Sequence, residues 1–137
     1  MSPASPPTHD DLARLVDHFY DTVRADALLG PVFNAAIDDW DAHKATLVDF
    51  WSSVILGTGS YRGNPMAAHR PHPIIDAHFG HWLALWRQAT TDTLSPAHAA
   101  LLQDRAARIA TSLRYGLGLD PARPLRRSTI HDHPPRD

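Results

Sequence analysis

The sequence predicts an all-α fold built as one domain. Apolar residues recur every three or four positions along most of the chain, which is the spacing of amphipathic helices. Helix-start signals such as Ser95-Pro96 precede several of these apolar stripes. The alternation of apolar and polar residues that predicts strands is absent from the sequence. The 137 residues suffice for one hydrophobic core and are too few for two ordinary domains.

Two helices and a connector are predicted in the first part of the chain. The first helix begins at Asp10 or Asp11 as its N-cap and is stopped by Gly30-Pro31, with an apolar stripe of Leu12, Leu15, Val16, Phe19, Tyr20 and Val23. Residues 31–37 predict a short helical connector. The second helix runs from Asp38–Asp39 to about Gly57, and one side of it carries Trp40, His43, Leu47, Phe50, Trp51, Val54 and Ile55.

A glycine-rich loop over residues 57–65 separates these helices from the rest. Pro65 predicts the first turn of a short helix that ends at about His69, because Pro71 and Pro73 break the chain there. Two long helices are then predicted at about residues 75–89 and 96–117. The predicted organisation is a disordered arm over residues 1–10, a globular domain over 11–118 and a flexible, proline-rich tail over 119–137.

Composition excludes several classes of function. Thirteen basic and fifteen acidic residues give a net charge of -2, which indicates neither a nucleic-acid partner nor an acidic one. The absence of cysteine excludes disulfide scaffolds, thiolate nucleophiles, Cys-ligated zinc and the covalent attachment of c-type haem. The start lacks the basic and apolar regions of a secretory signal, and no apolar run approaches the ~18 residues of a membrane span. We therefore expect a cytoplasmic protein that does not enter membranes.

Ten histidines are many for this length, and histidine is the commonest metal ligand among side chains. His78 and His81 are spaced to share a helix face, but no third ligand lies nearby, so a chance pair is the simpler interpretation. Five others indicate no site by their position at chain ends, on a polar helix face or at a helix start: His9, His18, His98, His131 and His133.

Three histidines remain as candidates. His43 lies on an apolar helix face, where a satisfied core histidine is the more common case and a ligand the alternative. His69 closes a short segment between the glycine loop and the proline break, and a bond to a metal would anchor such a segment. His72 stands between two prolines, which favours an extended and exposed position.

A set of short stretches in a fixed order resembles the group III truncated haemoglobins. These stretches are Phe19-Tyr20 with Val23-Arg24, Leu29-Gly30-Pro31-Val32-Phe33-Asn34, Trp40-Asp41-Ala42-His43-Lys44, Phe50-Trp51, Leu56-Gly57 with Tyr61-Arg62-Gly63-Asn64-Pro65, His69, and Trp82-Leu83. The resemblance extends from about Asp11 to Leu117 and rests on the joint order and spacing. It implies a truncated globin fold, a two-over-two helical sandwich around haem.

The resemblance also implies roles for individual residues. His69 corresponds to the proximal ligand of the haem iron, and Tyr20, His43 and Trp82 correspond to the distal pocket. Without cysteine the group is haem b, held by apolar contacts and one imidazole nitrogen, while a backbone carbonyl of the preceding turn accepts from the other nitrogen. The expected cavity wall comprises Phe33, Leu47, Phe50, Trp51, Val54, Phe79 and Leu83. The chain departs from the family at Arg70-Pro71-His72-Pro73, which leaves His72 as a rival for the iron.

These roles predict chemistry with small ligands: O2, NO, CO or peroxide. The Tyr20 O–H and the Trp82 N–H can both donate to bound O2, which slows its release. His43 can be a gate, a third polar group or a sixth iron ligand, and the gate is favoured. Tight O2 binding favours redox chemistry with a reductase, either oxidation of NO to nitrate or a peroxidase-like reaction. A non-catalytic O2 or NO sensor or store, and a haem-free helical interaction module, are the alternatives.

Overall fold

The computed structural model describes residues 5–119, and within that range it contains helices and no strand. The helices are α1 (His9–Ala25), α2 (Leu29–Ala36), α3 (Trp40–Leu56), α4 (Pro65–His69), α5 (Asp76–Thr93) and α6 (Pro96–Gly116). The prediction of an all-α fold is therefore confirmed. The predicted tail lies outside the described residues, apart from Leu119.

Helix α1 begins earlier than predicted. Its N-cap is Thr8, whose hydroxyl accepts from the Asp11 N–H at 3.1 Å while the Asp11 carboxylate accepts from the Thr8 N–H at 2.8 Å. Asp10 and Asp11 are thus inside the first turn, and the prediction of either as the N-cap is wrong. Pro7 is fully buried, and the predicted domain boundary at residue 11 falls inside the helix.

The end of α1 also differs from the prediction, because Gly30-Pro31 lies inside α2 and does not stop α1. Asp26 ends α1, and its side chain accepts from the N–H groups of Leu28 and Leu29 at 3.0 and 2.9 Å, so it starts α2 as well. Gly30 lets the two helices approach closely, since a Cβ at this position would lie 2.8 Å from the Arg24 carbonyl oxygen.

The remaining boundaries follow their local signals. Asp39 caps α3, and Gly57 ends it with a positive φ of 69°, as the sequence predicts. Helix α4 spans the predicted residues, with Asn64 as its N-cap. Helix α5 extends four residues beyond the predicted end at Ala89, and Ser95 caps α6.

Helix α1 lies at the centre of the molecule and packs against α2, α3 and α5, while α5 packs against α6. Its apolar stripe is fully buried, and each large side chain removed from water stabilises the fold by roughly 1.5–3 kcal/mol. Polar contacts join the layers, for example Lys44 of α3 to Asp17 and Asp21 of α1 at 2.8 Å each. None of the helices between residues 5 and 119 is long and apolar enough to cross a bilayer.

Candidate functional site

A cavity of about 420 Å³ opens between the helices, which is within the usual size range of small-molecule sites. Its wall is mostly apolar, with Leu29, Val32, Phe33, Ala36, Ile37, Leu47, Phe50, Ile74, Phe79, Ile109, Ala110 and Leu113 among its members. Its polar members are Tyr20, His43, Thr46, Trp51, Tyr61, His69, His72, His78 and Trp82. The site is thus an apolar cavity with few polar groups, most of them aromatic.

The structure brings most of the predicted site residues together in this cavity. All four residues of the predicted iron and distal sites line it: Tyr20, His43, His69 and Trp82. Five of the seven predicted wall residues line it as well: Phe33, Leu47, Phe50, Trp51 and Phe79.

Two predicted wall residues lie elsewhere. Val54 is one turn beyond Phe50 on α3 and faces a second, shallower groove that contains Arg105 and Arg108. Leu83 follows Trp82 on α5 and packs against a cluster of Phe79, Ala110 and Leu113, three residues that line the cavity, without lining it itself. Contact of Val54 and Leu83 with a bound group therefore stays a prediction.

His69 ends α4, and its ring is oriented by the backbone of that helix. Its Nδ1 lies 2.6 Å from the Pro65 carbonyl oxygen, which can only accept, so Nδ1 carries the proton. The acceptor expected in the preceding turn is therefore present. In this tautomer Nε2 has a free lone pair, which is the state that binds a metal.

Tyr20 is a neutral hydroxyl in the buried part of the cavity. The residue is 3% exposed, and burial raises its pKa well above the ordinary value, although a hydrogen bond with Trp82 opposes this. The Tyr20 ring meets the His43 ring edge-on, with centroids 5.6 Å apart. The hydroxyl therefore remains protonated at neutral pH and serves as a donor.

His43 lies on the same side of the cavity as Tyr20 and is uncharged at neutral pH. Partial burial lowers the pKa of His43, and the charge of a protonated His69 lowers it further. Both histidines line the same cavity. A neutral imidazole can accept or donate, so the three predicted roles of His43 all remain compatible with its surroundings.

One buried donor in the cavity wall has no partner. Trp51 is 2% exposed, and its Nε1–H makes no hydrogen bond to any described residue. Its ring stacks on Trp86 at 4.7 Å, and Trp86 stacks on Trp82 at 5.4 Å. A buried N–H without an acceptor is costly, so this atom suits a cavity that takes a ligand with an acceptor.

Taken together, the wall fits a flat, largely apolar group that binds one imidazole. Haem has these properties, because its macrocycle needs apolar contact and its iron takes an imidazole nitrogen. His69 would supply that nitrogen, and apolar lining residues such as Phe33 and Phe79 would supply the contact. Tyr20 and Trp82 line the same cavity and carry groups that can donate hydrogen bonds.

Sequence reasoning gave no role in the cavity to three of its polar members, Thr46, Tyr61 and His78. Tyr61 lies in the glycine loop and meets Phe50 edge-on at 5.1 Å. His72 is exposed, as predicted, yet it also lines the cavity. His78 was singled out only as a partner of His81; instead its Nδ1 accepts from the Ile75 N–H at 3.0 Å, and His81 Nε2 lies 2.8 Å from Asp26 Oδ1.

Comparisons with known proteins agree with this geometry. A family model described as bacterial-like globin matches residues 8–114. The group 3 truncated haemoglobin ctb of Campylobacter jejuni is 34% identical over 107 residues, which are 74% of this chain and 84% of that protein. The chain is a group III truncated haemoglobin. The crystal structure of the group III truncated haemoglobin from Campylobacter jejuni matches with a TM-score of 0.78 and 32% identity, covering 85% of this chain and 95% of that chain.

For this truncated haemoglobin the predicted truncated globin fold is confirmed. Membership of the globin family implies that the chain binds haem and, with it, small gaseous ligands such as O2.

Proposed function

We propose that this truncated haemoglobin holds haem b through His69 and binds O2 or NO beside Tyr20 and Trp82 for redox chemistry. The observation that carries the proposal is the juxtaposition of two features in one cavity. One is the His69 imidazole, whose Nδ1 bond to the Pro65 carbonyl leaves Nε2 free. The other is the buried Tyr20 hydroxyl with the half-buried Trp82 indole hydrogen-bonded to it.

The haem would be held without a covalent link, because the chain contains no cysteine. Phe33, Leu47, Phe50 and Phe79 would provide apolar contact with the macrocycle. Bound haem would supply an iron that takes diatomic ligands and passes single electrons. The protein's own side chains would bind the haem and hold the small ligand beside it.

The distal donors retain a bound O2. A hydrogen bond contributes about 1 kcal/mol, and more when the acceptor carries charge. Two converging donors therefore slow O2 release on the order of 10- to 100-fold. The unpartnered Trp51 N–H is a third donor in the same wall.

Slow O2 release favours consumption of the ligand over its transport. The two redox reactions that suit the site are oxidation of NO to nitrate by O2 and a peroxidase-like reduction of peroxide. In the first, NO, O2 and one electron give nitrate, so a reductase must restore the electron. In the second, peroxide takes two electrons and two protons and gives water.

The test is NO consumption by the oxygenated protein in the presence of a reductase. We expect wild-type protein to consume NO faster than free haem, and Tyr20→Phe to lower the rate because O2 is held less tightly. Absorption spectra of the ferric, ferrous and CO-bound forms establish haem content beforehand. A rate no higher than that of free haem would overturn the redox proposal.

A second candidate is a reversible O2 or NO binder that acts as a sensor or store. It is favoured by the uncharged distal groups, since Tyr20 is neutral and burial lowers the pKa of His43. Such groups hold a ligand without supplying a strong acid. Reversible O2 release without turnover would support this candidate over the first.

A further inference from the structure

The cavity has a buried end and an exposed rim. Tyr20, Trp51 and Phe79 are buried members of its wall and are 3%, 2% and 7% exposed. His72 is exposed and His78 is half-buried, and both line the cavity where the chain passes from α4 to α5. We call His72 and His78, with the chain between them, the histidine rim.

The cavity wall lacks the usual partners of a carboxylate. Among the described residues that line it, none is lysine or arginine, the side chains that most often bind carboxylates. Lys44, on the same helix as His43, is held by Asp17 and Asp21 of α1. Among the lining residues between α4 and α5, His72 and His78 carry side-chain N–H groups.

His78 has a defined tautomer. Its Nδ1 accepts from the Ile75 N–H at 3.0 Å, so in the neutral ring the proton is on Nε2. Burial lowers the pKa of His78, and the charge of a protonated His81 lowers it further. In the neutral ring, Nε2–H is therefore the hydrogen-bond donor of His78, a residue that lines the cavity.

His72 is held close to His69 by the backbone. The His72 N–H donates to the His69 carbonyl at 3.1 Å, and the His72 carbonyl accepts from the Ile74 N–H at 2.9 Å. The flanking prolines restrict the backbone further. The turn that follows the expected iron ligand thus also holds the backbone of a second histidine at the rim.

We propose that His72 and His78 form the carboxylate-binding end of the cavity and donate hydrogen bonds to the propionate groups of the haem. The inference rests on the proposed function and adds an orientation to it. A carboxylate is not buried without a partner, so the propionates must lie at the exposed rim. Hydrogen bonds to ionised carboxylates are about twice as strong as neutral ones, so both histidines slow haem loss.

The test compares haem with its dimethyl ester, which has no carboxylate. The variant is His72→Ala combined with His78→Asn, because the asparagine carbonyl can still accept from the Ile75 N–H and preserve the start of α5. The control is His18→Asn, which changes an exposed histidine on α1, outside the cavity wall. Each protein is loaded with haem or with the ester, and transfer to excess apomyoglobin is followed by absorbance.

We expect the double variant to lose haem at least about tenfold faster than wild type and the His18→Asn control. The ester should leave all three proteins at rates within about twofold of one another. Equal haem loss from variant and wild type, or an equal acceleration for haem and ester, would overturn the propionate assignment alone. Failure of the wild-type chain to take up haem would overturn the proposed function and this inference with it.

Discussion

Helix α4 is five residues long and contains no buried residue, so packing alone holds His69 weakly. The bond from Nδ1 to the Pro65 carbonyl orients the ring but leaves the helix attached mainly through its contacts with α6. A bond from Nε2 to iron would provide the missing anchor. His72, the rival ligand, has an exposed ring and no such acceptor within the described residues.

We therefore predict that His69→Ala abolishes stable haem retention, whereas His72→Ala is still purified with haem. The measurement is the ratio of Soret to protein absorbance after gel filtration. Added imidazole should restore part of the Soret band in His69→Ala, because it replaces the lost ligand. Full haem content in His69→Ala without imidazole would contradict the assignment of the iron ligand.

At the same scale, Tyr20→Phe tests the hydroxyl alone, because the substitution removes the hydroxyl and keeps the aromatic ring. The ring packs against Phe19 at 4.7 Å and Phe33 at 6.0 Å, so phenylalanine keeps the packing. We predict O2 dissociation about tenfold faster, as expected for one lost hydrogen bond to a partly charged acceptor, with thermal stability nearly unchanged. Stopped-flow replacement of O2 by CO measures the rate. An unchanged rate would exclude the Tyr20 hydroxyl as a donor to O2.

At the scale of secondary structure, α3 carries His43 and much of the cavity wall, and its start depends on Asp39. The Asp39 carboxylate accepts from the Ala42 N–H at 3.0 Å. We predict that Asp39→Ala lowers the free energy of unfolding by about 1 kcal/mol, the usual value of an N-cap. Urea denaturation measures it. Asp38→Ala, one residue earlier and outside the cap, is the control, and an equal loss in both variants would argue against capping.

Helix boundaries could be predicted wherever a local signal sets them. Asp39, Gly57, Pro65 and Ser95 each act on neighbouring backbone groups, and the structure confirms all four. The end of α1 was predicted wrongly because Gly30-Pro31 is a typical helix stop, while Asp26 ends the helix through contacts that no periodicity shows. Gly30 instead allows α2 to approach the Arg24 carbonyl closely, because it has no Cβ.

At the scale of the whole molecule, prediction of the cavity wall succeeded only in part. Tyr20 and Trp82 were placed through resemblance to a family, since apolar spacing alone shows two core aromatic residues. Val54 and Leu83 are not among the residues that line the cavity, because a stripe fixes which residues are apolar but not how each helix rotates against its neighbours. His78 was missed because its position at the cavity depends on how α5 packs beside α6.

Asp26 ends α1, and its side chain contacts residues of α2 and α5. Its protonation should therefore change the free energy of unfolding of the whole domain. Burial by itself would raise the pKa of Asp26, but hydrogen bonds from His81 and from the Leu29 and Leu28 N–H groups outweigh it and lower the pKa. A carboxyl group with a lowered pKa in the folded state stabilises the fold above its unfolded pKa of about 3.9. That stability is lost as the pH falls from there through the folded pKa.

We therefore predict that the free energy of unfolding decreases between about pH 5 and pH 3, and that Asp26→Asn weakens this dependence. The variant should be less stable than wild type at pH 6 and closer to it at pH 3, because protonation removes the same charge from the wild-type protein. Urea denaturation across this range measures both. Asp49→Asn, which changes an exposed carboxyl on α3, should keep the wild-type pH dependence. If the free energies of unfolding of Asp26→Asn and wild type change in parallel with pH, titration of Asp26 does not cause the pH dependence of stability.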